Sequence, residues 1–324
     1  MILSSGGAGS VPTVSGRMAN GVRQADKYFV YFVVNPEKER EPMKISLFTV
    51  CLPDHTPEEG AAALASWGFD GVEWRVTAVP APGEPVVSFW KGNRCTLAPE
   101  TLVDRADEIA VLCRKHKLGM PCLGAYLGYQ DAELIERVMQ AAARMQVPLV
   151  RVSVAKYDGK ENYNKLLADA VKGWEKIVAL GKKHGVKPVA EIHMGTIITS
   201  ASAAYRFASH FKPDEMGIIH DCGNMVYEGF ENHQMGLEIL GPYLAHVHIK
   251  NSVWAIQSGD PDGNLRWASG WATLRNGQVN LRDFLKTLRA TGYDDWLSLE
   301  DFSTVLPLEP RIRDDLAYIK QSLV

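Results

Sequence analysis

The 324-residue sequence predicts a closed (β/α)8 barrel, and three observations carry that prediction. From Lys44 onward, short apolar runs rich in β-formers alternate with longer amphipathic stretches, strand before helix, eight times over. The 281 residues from Lys44 to the end match the roughly 250 typical of such a barrel. No Gly-x-Gly-x-x-Gly follows the first run and no Gly-rich Lys-Ser/Thr loop occurs, so an open nucleotide-binding sheet lacks its usual signature.

The first strand is predicted over 44–50, and the helix after it starts at Thr56-Pro-Glu-Glu59 and runs to Trp67. Thr56 is a natural N-cap, Pro57 suits the first helical position, and Glu59 completes a capping box; Gly68 ends the helix. The second strand covers 69–75. Six more follow near 120–125, 149–154, 188–193, 217–221, 245–250 and 296–301. The remaining helices are predicted near 99–116, 131–145, 161–184, 202–210, 234–240, 281–291 and 311–322. Parallel strands joined by right-handed crossovers follow from that order. One domain over 44–324 is expected. Residues 1–43, Gly/Ser-rich at the start, read as a flexible extension or an upstream reading of the start codon.

Composition narrows the function. The net charge of −3 implies no basic face for nucleic acid. The longest N-terminal apolar run, 28–34, is too short to span a membrane and lacks the flanks of a secretory signal. Cys51, Cys95, Cys113, Cys122 and Cys222 show no CxxC spacing, which argues for free thiols and a cytoplasmic setting.

In a barrel of this kind chemistry sits at the C-terminal strand ends. The last four predicted strands end in Val189-Ala-Glu-Ile-His193, Ile218-Ile-His-Asp221, Ala245-His-Val-His248 and Leu297-Ser-Leu-Glu300. Side chains alternate along a strand, so Glu191 shares a face with His193, and His246 with His248. Several acids aimed into one mouth are costly when uncompensated, and a divalent cation is the simplest compensation. Glu191, Asp221, His248 and Glu300 offer three carboxylates and one imidazole, a set suited to manganese first, then magnesium, cobalt or zinc. His246 reads as an interior histidine one layer below His248, or as a further substrate contact. The segment 251–277, with Trp254, Trp267 and Trp271, reads as a long aromatic loop serving as a lid or partner contact.

At these residues the sequence resembles the xylose-isomerase-like TIM-barrel superfamily of sugar epimerases, isomerases, inosose dehydratases and endonuclease-four-like enzymes. The marks are Lys44-Ile-Ser-Leu, Gly68-Phe-Asp-Gly-Val-Glu73, Glu191, Asp221-Cys-Gly-Asn-Met, His246-Val-His-Ile-Lys250 and Ser298-Leu-Glu300. The resemblance implies one divalent metal on Glu191, Asp221, His248 and Glu300. Two positions depart from the ketose 3-epimerases of the group. Asn224 stands where they carry a His, and Trp254 where they carry an Arg, both groups that help bind a ketose. The additional early-strand His ligands of the endonuclease branch are missing, since His55 and His116 lie off the strand ends. The Glu191-x-His193 pair and the long loop resemble the metal-dependent subunit of C-glycoside deglycosidases, which act on 3-oxo-sugar conjugates and pair with a small second subunit.

The implied chemistry is proton abstraction next to a carbonyl of a small carbohydrate, by an isomerase or epimerase, with a lyase as the alternative. Glu191 and Glu300 are the candidate acid–base pair and His193 a second base. Glu73, Lys250, Asn224, Trp254 and His246 are candidate substrate contacts; Lys156, Tyr157, Trp90, Lys91 and Arg94 are weaker ones. No Gly-rich nest points to a phosphorylated substrate. A homo-oligomer is the general expectation for a soluble protein, and a sugar-binding scaffold is the non-enzymatic alternative.

Overall fold

A computed structural model describes residues 43–323; of the predicted extension over 1–43, all but Met43 lie outside the described residues. Thr56 and Glu59 cap α1 (Pro57–Trp67) reciprocally, side chain to backbone N–H at 3.3 and 2.8 Å, and Gly68 closes it at φ +88°, a left-handed turn that favours glycine. That helix joins β1 (Ile45–Phe48) to β2 (Gly71–Val76). The chain continues through β3 (Thr96–Leu97), α2 (Leu102–Lys115), β4 (Cys122–Ala125), α3 (Ala132–Met145), β5 (Leu149–Arg151) and α4 (Tyr163–His184). Next come β6 (Lys187–Glu191), α5 (Ala201–Ala208), β7 (Gly217–Asp221), α6 (Cys222–Tyr227), α7 (His233–Leu240) and β8 (Leu244–Ile249). The last elements are β9 (Asn251–Gly259), β10 (Leu265–Ala272), α8 (Leu281–Ala290), β11 (Leu297–Leu299) and α9 (Leu308–Ser322).

Eight of these strands run parallel in the order β1-β11-β8-β7-β6-β5-β4-β2, and β1 pairs with β2 to close the barrel. Closure leaves no free edge, which is why every barrel strand can be buried on both faces. The main core lies between the strands and the helices, with Trp74, Trp174, Phe48, Phe207 and Phe284 among its largest buried side chains. A smaller apolar layer of Cys122, Val189 and Ile219 fills the barrel interior.

Three elements differ from the sequence expectation. The segment 251–277 is not a loop: β9 and β10 form an antiparallel hairpin with a register shift at Arg266/Trp267. Its tip, Asp260-Pro-Asp-Gly-Asn264, is a turn in which Asp260 Oδ1 accepts from the backbone N–H groups of Asp262 and Asn264 at 3.0 and 2.8 Å. The short helix α6 follows β7 without a break, because Asp221 Oδ1 caps it by accepting from Asn224 N at 2.8 Å. A two-residue strand, β3, pairs with the end of β2 inside the long connection to α2. Among the described residues no helix is long and apolar enough to cross a membrane.

Candidate metal centre

The barrel interior is layered by the two-residue repeat of its strands. Val189 and Ile219 belong to the apolar layer, and Glu191 and Asp221 stand one step further along the same strands, toward the C-terminal end. His248 and Glu300 stand two residues beyond His246 and Ser298 in the same way. The result is four buried donors, Glu191, Asp221, His248 and Glu300, each offering an atom within 4.8 Å of the others. His248 Nδ1 lies 2.9 Å from Glu191 Oε1, 3.6 Å from Glu300 Oε1 and 3.8 Å from Asp221 Oδ2.

Two buried cations grip carboxylate oxygens of the cluster. Arg151, at the end of β5, reaches Glu191 Oε2 at 2.7 Å. Lys250 Nζ contacts Asp221 Oδ2 at 2.8 Å, outside hydrogen-bond alignment, and also contacts Glu300 Oε2. A cradle admits Lys250: a Cβ on Gly223 would meet the Lys250 side chain at 2.4 Å and its backbone at 2.9 Å. Burial opposes ionisation of Glu191, but Arg151 and His248 hold its pKa well below the usual carboxylate range. Burial raises Glu300, with Glu191 and Asp221 adding to the rise against Lys250 and His248. Burial favours a neutral His248, yet the charges of Glu73 and Glu300 hold its pKa well above the ordinary imidazole value.

Glu73, on β2, supports this set from beneath. It is fully buried, and its carboxylate accepts from His248 Nε2 at 3.2 Å and from His246 Nε2 at 3.0 Å. Gly124 makes room for it, since a Cβ there would strike the Phe48 ring at 2.3 Å and approach Glu73 Oε1 at 3.2 Å. A carboxylate on the far nitrogen of an imidazole fixes the ring's orientation and leaves Nδ1 directed at the other three donors. Four buried carboxylates therefore face two permanent buried cations. With His248 deprotonated, as a ligand imidazole must be, the two negative charges left over equal the formal charge of one divalent ion; without an ion, a proton on His248 offsets one of them. Donor type, proximity and charge all fit such an ion, with Glu191, Asp221, His248 and Glu300 as the residues able to hold it.

A cavity of about 420 Å³ opens over the cluster, lined by Glu191, Glu300, Lys250 and Arg151 on its polar side. His193 also lines it, two residues past the end of β6, half-buried, with Nδ1 donating to Met194 O at 2.7 Å in the neutral tautomer. That bond leaves Nε2 as the accepting nitrogen. Lys156 lines the cavity too.

Trp90, also named from the sequence, lines the cavity as well, whereas others named as substrate contacts are engaged outside it. Glu73 and His246 are spent on the internal network below the cavity. Asn224 is buried and donates to Ile192 O at 3.1 Å, bracing the strand end that carries Glu191. Trp254 is on the hairpin, where its Nε1 donates to Val226 O at 2.6 Å. Arg151, Tyr126 and Phe302 line the cavity and were missed. Arg151 and Tyr126 sit at the ends of β5 and β4, where the strand-end rule applied to the last four strands would have found them.

Three comparisons bear on this geometry. A family model described as xylose isomerase-like TIM barrel matches residues 61–322. An inosose dehydratase of Clostridium botulinum (strain Alaska E43 / Type E3) is 29% identical over 180 residues, covering 51% of this chain and 58% of that protein. The matched region thus spans little more than half the length of that curated relative. Among solved structures, the E. coli 3-keto-D-glucoside 4-epimerase YcjR, apo form, superposes with a TM-score of 0.64 at 16% identity, covering 86% of this chain and 99% of that one. An IOLI protein with a bound zinc atom gives 0.65 at 17% identity, covering 87% and 98%. Likenesses at that identity are likenesses of fold.

Proposed function

The chain belongs to the xylose isomerase-like TIM barrel family, and from that premise we propose a divalent-metal-dependent enzyme that removes a proton next to a carbonyl of a sugar, keto-sugar or cyclitol. The observation that carries the reading is the charge balance of the mouth: four buried carboxylates, two permanent cations, and four donor atoms within 4.8 Å. A dication held by Glu191, Asp221, His248 and Glu300, manganese before magnesium, cobalt or zinc, would supply Lewis acidity toward a substrate carbonyl and its neighbouring hydroxyl.

The chain's own groups divide the remaining work. Arg151 and Lys250 lock the Glu191 and Glu300 carboxylates in place, so a substrate meets a preorganised site rather than mobile side chains. The environments of these two carboxylates push their proton affinities apart, which suits one to stay ionised and the other to exchange a proton. His193, outside the donor set and with Nε2 free to accept, is the second proton-handling group. Tyr126 and the aromatic side of the cavity set an apolar wall beside the reacting atoms.

Returning the proton to the opposite face gives epimerisation, and returning it to a neighbouring carbon gives isomerisation. Loss of a β-hydroxyl instead gives a lyase, and the inosose dehydratase relative favours this second reading. Incubation of the manganese-loaded protein with keto-sugars and inososes in deuterated water tests both. Deuterium wash-in without bond cleavage supports an isomerase or epimerase, and water loss with deuterium incorporation supports a dehydratase. No exchange with any carbonyl substrate, with and without added metal, contradicts the proposal.

A further inference from the structure

The barrel has a second opening that the reaction does not use. At its N-terminal end, opposite the metal centre, the connections that enter β4, β5, β6, β7, β8 and β11 line a cavity of about 790 Å³. Chemistry in this fold belongs to the other end, so this cavity lies outside the catalytic mouth. Its volume falls within the range of about 300–1,000 Å³ typical of small-molecule sites.

Three features of the lining select a ligand. His246, the third residue of β8, is only 1% exposed yet reaches the cavity. Its Nε2 is spent on Glu73 at 3.0 Å, and its Nδ1 has no hydrogen-bond partner among the described residues. With Nε2 donating to the carboxylate, Nδ1 of the neutral ring is an acceptor, so this buried end calls for a hydrogen-bond donor. The Glu73 carboxylate behind the ring strengthens that acceptor. The walls beside it are apolar, with Leu149 and Ala245 packed on the inner layer of Cys122, Val189 and Ile219.

The outer part of the lining is acidic. Asp214, Glu215, Asp294 and Asp295 stand against Lys182 and Lys187, four carboxylates to two ammonium groups. Lys182 is paired with Glu215 at 2.7 Å, and Lys187 Nζ donates to Pro213 O at 3.0 Å. Asp294 and Asp295 are exposed and form no ion pair among the described residues. A site with an accepting nitrogen inside, apolar walls and an acidic rim suits a ligand that is cationic at both ends and apolar between them.

We propose that this cavity is a second ligand site, for a linear alkyl diamine or polyamine. One ammonium donates to His246 Nδ1, the methylenes lie along Leu149 and Ala245, and the far ammonium is held by Asp294 and Asp295. A neutral sugar brings no charge to that rim, and an anion is repelled by it. Nothing in this recognition depends on the reaction at the other mouth.

The test is calorimetric titration of linear diamines, from diaminopropane to diaminohexane, into the full chain with saturating magnesium to occupy the upper donors. Butylamine and butanediol are the controls. One diamine per chain is expected, with butylamine bound at least about tenfold more weakly and butanediol silent. The double variant Asp294→Asn/Asp295→Asn, at exposed positions outside the core, should bring the best diamine down to the butylamine level. In spectra of protein carrying nitrogen-labelled histidine, the same diamine should shift the His246 Nδ1 resonance. No diamine binding at millimolar concentration, several weak sites per chain, or butanediol binding as well as the diamine overturns the proposal. So does a double variant that binds like the wild type, and so does an unmoved His246 nitrogen, which would leave the exposed acids alone holding the amine.

Discussion

His220 and Asp221 are consecutive residues of β7, both without exposed surface, yet they occupy opposite chemical environments. Asp221 points into the barrel mouth among carboxylates, Lys250 and His248. His220 points outward between strand and helices, stacked on Phe284 with ring centroids 5.2 Å apart and near His233 at 6.1 Å. Neither ring nitrogen of His220 has a hydrogen-bond partner, and burial, with His233 close by, pushes its pKa down to about 3. The outer layer thus tolerates a titratable group by keeping it neutral, as apolar packing demands. The mouth instead concentrates charge and answers it with charge. Only the second arrangement leaves a net demand that an ion can meet.

The charge-rich mouth depends most strongly on Glu191. Glu191→Gln removes one negative charge from the donor set and strands Arg151 beside a neutral amide, so metal affinity should fall by about 10²-fold or more, enough to empty the site, and turnover by about 10³-fold or more. Elemental analysis and deuterium exchange read both. If either is retained, Glu191 is a packing residue. Chelation comes next. Metal held at about 100 times its Kd stabilises by roughly 2.7 kcal/mol, so the chelator should lower the wild-type Tm by several degrees and leave Glu191→Gln unmoved. Glu73→Gln sharpens the picture more gently: with the His248 ring less firmly held, metal affinity should drop about 10–100-fold by calorimetry while the cavity wall is preserved. A loss confined to stability, with affinity unchanged, would make Glu73 purely structural.

The smallest effect belongs to the outer layer. His220 has a folded pKa of about 3 against about 6.5 unfolded, so the unfolded chain takes up a proton that the folded chain refuses. Its contribution is present above pH 6.5 and is lost as pH falls from there toward 3. His220→Leu should flatten that decline by up to about 1.4 kcal/mol per pH unit and shift stability little at pH 8, as denaturant titrations would show. An unchanged acid limb would mean that His220 is charged in the folded state.

Much of the fold was legible because its signals are local. The Thr56–Glu59 capping box, Gly68 and the alternation of runs mark elements by short-range chemistry, and their limits shift by only a few residues. The hairpin was legible in principle. The turn Asp260-Pro-Asp-Gly and the β-prone apolar run Val253-Trp254-Ala255-Ile256 before it are hairpin signals, obscured by the expectation that an insertion at a strand end is a loop. Of the candidate site, the strand-end rule pointed to Glu191, Asp221, His248 and Glu300, and the structure brings those four together. The partners of that cluster follow from closure alone. The sequence carries no mark that Glu73, 175 residues before His248, lies beneath it, or that Arg151 reaches Glu191 from the neighbouring strand.

Where a dication rests decides whether these four side chains form a metal centre. Anomalous diffraction at the manganese edge, on crystals of the full chain grown with the metal, locates it. One peak per chain is expected, about 2.0–2.6 Å from oxygens of Glu191, Asp221 and Glu300 and from His248 Nδ1. Saturating manganese with no peak between those four side chains, or a peak bound by other residues, would contradict it.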